Sequence, residues 1–123
     1  MAKVLIIDDS KFQRNIIKNI LKEIELDIVE ASDGNEALLV NKQENPDCII
    51  LDLLMPGKDG FEVLSDLKNE GSHTPIIVLS ADIQESSRLK CEELGAFAFL
   101  NKPPKNEELK DAIKRALNSR RGS

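Results

Sequence analysis

Apolar residues recur along this chain in two alternating patterns, and the alternation predicts ten elements. Short runs rich in Ile, Val, Leu and Phe alternate with longer stretches whose apolar positions return every three or four residues. The short runs suit strands buried on both faces, and the longer stretches suit amphipathic helices. A first strand from Lys3 to Asp8 leads into a helix capped by Ser10, with Ile16, Ile17, Ile20, Leu21 and Ile24 on one stripe. A second strand, Asp27 to Ala31, is followed by Ser32-Asp33-Gly34 and a helix carrying Ala37, Leu38 and Val40. Pro46 breaks the chain before a third strand, Cys48 to Leu53.

A turn-rich loop from Met55 to Gly60 precedes a helix that buries Phe61, Val63, Leu64 and Leu67 and stops near Asn69 and Gly71. Pro75 opens a fourth strand through Leu79, and a fourth helix, Gln84 to Leu94, ends at Gly95. A fifth strand, Ala96 to Leu100, reaches Lys102-Pro103-Pro104. The fifth helix starts at an Asn106 cap and sets Leu109, Ala112, Ile113, Ala116 and Leu117 on one face. Connections this short require right-handed crossovers and a parallel sheet with helices on both sides, an α/β, doubly wound (βα)5 domain. Residues 1–119 form that single domain, and residues 120–123 read as a tail, the start of a linker or a cloning remnant.

The apolar runs end on polar residues that carry chemistry. Asp8 and Asp9 close VLIIDD, Asp52 closes CIILD, Ser80 closes PIIVLS and Lys102 closes FAFLNK. In a parallel sheet these ends share one edge, where open α/β folds place their ligands. Each residue alone has an ordinary explanation: Asp8 as a helix-cap or turn residue, Ser80 as a strand-end turn, Lys102 as a solvated lysine. Their joint placement at successive strand ends points to a divalent cation and a phosphoryl group. At about 4 Å a pair of like charges costs on the order of 4 kcal/mol at an effective dielectric near 20, which a bound cation relieves. Hard oxygen ligands suit Mg2+ better than zinc. Asp52 can both ligate the metal and attack phosphorus to form an aspartyl phosphate. Lys102 and the metal would offset charge on the transferring oxygens, and the Ser80 hydroxyl can donate to one of them.

Composition narrows the function classes. The chain has 22 acidic and 17 basic residues, a net charge of −5, which argues against nucleic-acid binding by this domain alone. Its length of 123 residues suffices for one core burying roughly two thirds of the unfolded surface. Cys48 and Cys91 lack CxxC or metal-ligand spacing and read as free thiols in a reducing cytoplasm. No apolar run is long enough for a transmembrane helix, and no signal peptide precedes the first strand, so no membrane association is expected.

The motifs IIDDS, LDLLMPGKDGFEVL, IIVLSA and FLNKP, in this order and spacing, resemble the receiver domain of two-component response regulators over nearly the whole chain. The resemblance implies a flavodoxin-like strand order 2-1-3-4-5, which the pattern alone does not supply. It implies that Asp52 takes a phosphoryl group from a sensor histidine kinase or phosphotransfer protein. Asp9, Asp52 and the backbone carbonyl of Leu54 would be direct Mg2+ ligands, with Asp8 acting through a metal-bound water. Lys102 would pair with the phosphoryl oxygens and Ser80 would swing in as a sensor.

Phe99 matches the aromatic switch position, and plain core packing is the alternative. Lys102-Pro103 resembles the family's cis X–Pro bond. Leu54 and Asp82 occupy positions that resemble the tuners of phosphoryl lifetime. An apolar Leu54 has no group to orient an attacking water, which implies slow to moderate self-hydrolysis. Ser80 stands where threonine is commoner, Phe99 lacks a phenol oxygen, and Pro104 replaces a more usual apolar residue.

Phe12, with Lys11 and Arg14, reads as a kinase docking contact or as cover for the core edge. His73, the only histidine, reads as a solvated loop residue. The resemblance places a downstream protein on the fourth helix, fifth strand and fifth helix, with the chain a monomer or a phosphorylation-dependent dimer. Met1 and an end just past the fifth helix fit a stand-alone regulator of chemotaxis type better than a receiver cut from a longer protein.

Such a chain is a signalling switch that catalyses only its own phosphorylation and dephosphorylation. A haloacid-dehalogenase-type enzyme would need a DxD nucleophile on the first strand, which here ends DDS. A flavodoxin-like carrier would need a phosphate loop after that strand.

Overall fold

The computed structural model describes residues 1–121. Five strands, β1 (Ala2–Ile7), β2 (Leu26–Ala31), β3 (Cys48–Leu51), β4 (Ile76–Ser80) and β5 (Ala98–Asn101), alternate with five helices. The helices are α1 (Lys11–Leu21), α2 (Gly34–Glu44), α3 (Gly60–Asn69), α4 (Glu85–Glu93) and α5 (Asn106–Arg121). All strand pairs are parallel, in the order β2-β1-β3-β4-β5. This is the doubly wound sheet expected from the sequence.

Period-2 geometry divides each central strand between two cores. Leu5, Ile7, Ile49, Leu51 and Val78 face α2, α3 and α4 through Ala37, Val63, Leu64, Leu67 and Cys91. Val4, Ile6, Cys48, Ile50, Ile77 and Leu79 face α1 and α5 through Ile17, Ile20, Leu21, Leu109, Ala112, Ile113 and Ala116. Both faces are apolar because helices cover both. Each fully buried Leu or Ile contributes roughly 1.5–3 kcal/mol, so the central strands anchor the fold.

Several boundaries differ from the sequence reading. β1 ends at Ile7 and β3 at Leu51, one and two residues earlier than expected. The hydrogen bonding nevertheless continues: Asp8 N–H donates to the Ala31 carbonyl at 3.1 Å and Asp52 N–H to the Ile7 carbonyl at 3.0 Å. The carboxylates therefore stand on backbone that the sheet still holds. β5 begins at Ala98 rather than Ala96. Asn106 is not a cap but the first helical residue, because Leu109 N–H closes the first turn on the Lys105 carbonyl at 2.9 Å.

Ser10 caps α1, accepting from Gln13 N–H at 3.2 Å. Gly95 follows α4 at φ +91°, a left-handed conformation that a side chain would strain. The Lys102-Pro103 bond is cis. α5 runs through Arg121, into the stretch read as a tail, and residues 122–123 lie outside the described residues. Among the described residues no helix is long and apolar enough to cross a membrane.

Candidate functional site

The parallel register sets the site. Ile7 pairs with Leu51, so the residues that follow them, Asp8 and Asp52, emerge side by side at the C-terminal edge. Ser80 ends the neighbouring β4, and Lys102 follows the last residue of β5. Lys102 N–H donates to the Ser80 carbonyl at 2.8 Å, which fixes the lysine beside β4. Carboxylate oxygens of Asp8, Asp9 and Asp52 lie within 4.8 Å of one another. The Lys102 ammonium donates to Asp8 Oδ2 at 2.9 Å and lies 3.5 Å from Asp52 Oδ1.

Asp8 and Asp52 are 2% and 6% exposed, whereas Asp9 is open to solvent. Burial pushes the Asp52 carboxyl above its usual range, with the Asp8 charge adding to the rise against Lys102 and the Leu54 N–H. Three carboxylates against one ammonium leave a formal charge of −2 when ionised. That imbalance matches a divalent cation, and the oxygen-only donor set matches a hard one. The residues present therefore fit a metal ion.

The loop after β3 supports Asp52 from below. Leu54 N–H donates to Asp52 Oδ1 at 3.3 Å, while the Leu54 side chain is 59% exposed. Gly60 opens α3 directly against this backbone. A Cβ there would lie 2.6 Å from the Asp52 carbonyl oxygen and from Leu53 Cα. Its local signal in the sequence was only a glycine after Asp59, which proves to be an N-cap in a capping box with Glu62. The role of Gly60 beside the site was not read from sequence.

Ser80 is fully buried, and its Oγ accepts from Asp82 N–H at 3.0 Å. Asp82, expected as a lifetime tuner, has both carboxylate oxygens engaged: Gln84 N–H donates at 2.9 Å and Ser87 Oγ at 2.5 Å. The bonds from Ser87 and Gln84 hold its carboxyl below the usual range. Phe99 pairs with Val78 across the sheet and is half-buried against the core on the α3–α4 side.

On α1, Lys11 and Phe12 are exposed, Phe12 by 71%. Arg14 differs from the docking expectation. Its side chain is only 13% exposed, with Nε donating to Glu30 at 2.8 Å and Nη1 to the Asp8 carbonyl at 2.7 Å. A guanidinium so committed braces Asp8 rather than presenting itself at the surface. Glu30, shared with Lys18 at 3.0 Å, is the partner that sequence spacing could not reveal.

A groove of about 670 Å3 between α1 and the Lys102–Pro104 turn is lined by Gln13, Ile16, Ile20, Lys102, Pro103 and Pro104. A larger cleft of about 1260 Å3 contains His73 and Phe97 and none of the strand-end residues.

A family model described as "Response regulator receiver domain" matches residues 4–114. "Chemotaxis protein CheY" of Halobacterium salinarum is 38% identical over 119 residues, covering 95% of this chain and 98% of that protein. "Probable transcriptional regulator ycf27" of Porphyridium aerugineum is 41% identical over 115 residues, covering 94% of this chain. The chain spans about half the length of that relative, 48%. Among solved structures, the receiver domain of the Francisella response regulator 1452 superposes with a TM-score of 0.90 at 32% identity, covering 97% of this chain and 98% of that one.

Proposed function

The chain belongs to the response regulator receiver domain family of two-component signalling, and on that premise we propose that Asp52 is its phosphoacceptor. The carrying observation is the placement of Lys102 Nζ 2.9 Å from Asp8 and 3.5 Å from Asp52, beside three carboxylates within 4.8 Å. A histidine kinase or phosphotransfer protein donates the group. An Asp52 carboxylate oxygen attacks phosphorus, the P–N bond of the phosphohistidine breaks, and an acyl phosphate forms on Asp52. Later attack of water on phosphorus returns the carboxylate and releases phosphate.

Asp9, Asp52 and the Leu54 carbonyl would hold Mg2+, with Asp8 contacting it through a water. The bound cation would supply charge neutralisation for the phosphoryl oxygens. Lys102 keeps Asp8 and Asp52 close together and then pairs with a phosphoryl oxygen. Ser80, buried at the next strand end, donates its hydroxyl to another oxygen. Phe99 follows Ser80 as the switch residue, and the surface of α4, β5 and α5 carries the change to a downstream protein. The chain is a monomer or a phosphorylation-dependent dimer in the cytoplasm, where its buried thiols stay reduced.

Lys11 and Phe12 make the docking contact with the donor. Their exposure and the adjoining groove on α1 support this. Arg14 takes part through its hold on Asp8.

Mass spectrometry after incubation with Mg2+ and a small acyl-phosphate donor tests the reading. One phosphoryl group is expected on the protein and none on Asp52→Asn. No gain, or a gain that survives the substitution, overturns it.

A further inference from the structure

We propose that Ser87 is a positioning residue for Ser80: through the Asp82 carboxylate it holds the Ser80 hydroxyl in its present orientation and ties that orientation to the start of α4. The inference rests on the phosphoacceptor reading and names what sets one of its residues.

Three hydrogen bonds make the connection. Asp82 N–H donates to Ser80 Oγ at 3.0 Å. Asp82 itself is held by its side chain, which accepts from Gln84 N–H at 2.9 Å and from Ser87 Oγ at 2.5 Å. Gln84, the residue before α4, contributes no side-chain cap. Asp82 supplies that anchor from two residues upstream. The Ser87 bond is charge-assisted and sits on a residue only 8% exposed, so breaking it would strand a largely buried hydroxyl.

α4 is thinly seated. Ser87 and Cys91 are its only buried residues, and Ile83 just before it is 81% exposed. One of the two buried residues of this helix is therefore bonded to Asp82. When Ser80 turns towards a phosphoryl oxygen on Asp52, it either releases the Asp82 N–H or draws residue 82 with it. The first outcome loosens the loop, and the second pulls on Ser87 and α4. Because coupling is reciprocal, whatever fixes the start of α4 also sets how freely Ser80 can turn.

The test compares the wild type with Ser87→Ala and with Ser87→Thr, which keeps the hydroxyl. In unphosphorylated protein, amide hydrogen exchange at Asp82 is expected to quicken about fivefold in Ser87→Ala, the change one net hydrogen bond makes, and to return towards wild type in Ser87→Thr. Unchanged exchange in Ser87→Ala overturns the tether. With Mg2+ and a small acyl phosphate, uptake onto Asp52 is expected to rise by a similar factor in Ser87→Ala and not in Ser87→Thr. Equal uptake in the wild type and Ser87→Ala overturns the coupling to Ser80. If the wild type takes up no phosphoryl group, the phosphoacceptor reading falls and the coupling with it, while the exchange measurement still decides the tether.

Discussion

Lys102 and Asp8, 94 residues apart in the chain, form a 2.9 Å hydrogen-bonded ion pair in which the carboxylate is 2% exposed. The same ammonium reaches Asp52 at 3.5 Å, so one lysine holds two neighbouring carboxylates that would otherwise repel. Its single charge leaves that repulsion only partly balanced. A divalent cation is the natural complement of such a cluster.

Mg2+ is expected to stabilise the protein by binding only the folded site. At a hundredfold excess over Kd the gain is about 2.7 kcal/mol, a rise of roughly 10 °C in Tm. Asp9→Ala should largely abolish that rise. Thermal denaturation with and without Mg2+ checks it, and an unaltered rise in Asp9→Ala would remove Asp9 from the ligand set.

Stability without divalent cations should depend on Asp52. Its folded carboxyl is pushed above the usual range by burial, with the Asp8 charge adding. The fold therefore binds this proton more tightly than the unfolded chain does. Stability from this group is greatest in acid and falls as pH rises from the unfolded range, about 3.9, through the folded value. Asp52→Asn is expected to raise Tm at neutral pH by roughly 2–5 °C in chelator, and the advantage should shrink below about pH 4. With Mg2+ the order should reverse, because the amide is a poorer ligand.

Phosphoryl lifetime should answer to Leu54. Its exposed side chain carries no group to orient water, so self-hydrolysis is expected to be slow to moderate. Leu54→Asn should shorten the lifetime roughly fivefold to tenfold, the effect of one well-placed hydrogen bond in the transition state. Following the decay of phosphoprotein by mass measures it. Rapid wild-type decay that ignores the substitution would contradict the assignment.

Phe12 and Arg14 should separate by donor. Phe12→Ala is expected to slow transfer from a phosphorylated histidine donor protein while leaving uptake from a small acyl phosphate unchanged. Arg14→Ala should slow both, since its guanidinium holds the Asp8 carbonyl at 2.7 Å. Equal behaviour of the two variants with both donors would argue against this division.

Much of this was legible in the one-dimensional pattern. VLII, CIIL and IIVL suit strands covered on both faces, and in a parallel sheet the polar residues closing them share one edge. Three residues were harder to read. Gly60 looked like a turn glycine, yet a Cβ there would lie 2.6 Å from the Asp52 carbonyl oxygen, so its absence is what lets α3 start against that backbone. Arg14 looked like a surface cation, but Glu30 on β2 turns it inward. Asp82 looked free to act on the phosphoryl group, yet Ser87 and Gln84 already occupy its oxygens.

Local chemistry alone therefore determined the alternation of strands and helices, the single edge that collects Asp8, Asp9, Asp52, Ser80 and Lys102, and the kinds of charge those residues carry. Residue periodicity and turn composition are properties of neighbours in sequence, so they survive without a fold. Only the tertiary structure decided which partner each side chain takes. That choice depends on strand register and helix seating between segments tens of residues apart, where a shift of one residue would exchange buried and exposed faces. Lys102 meets Asp8, Arg14 braces the Asp8 backbone, and Asp82 joins Ser80 to α4 because packing brings those atoms within bonding distance.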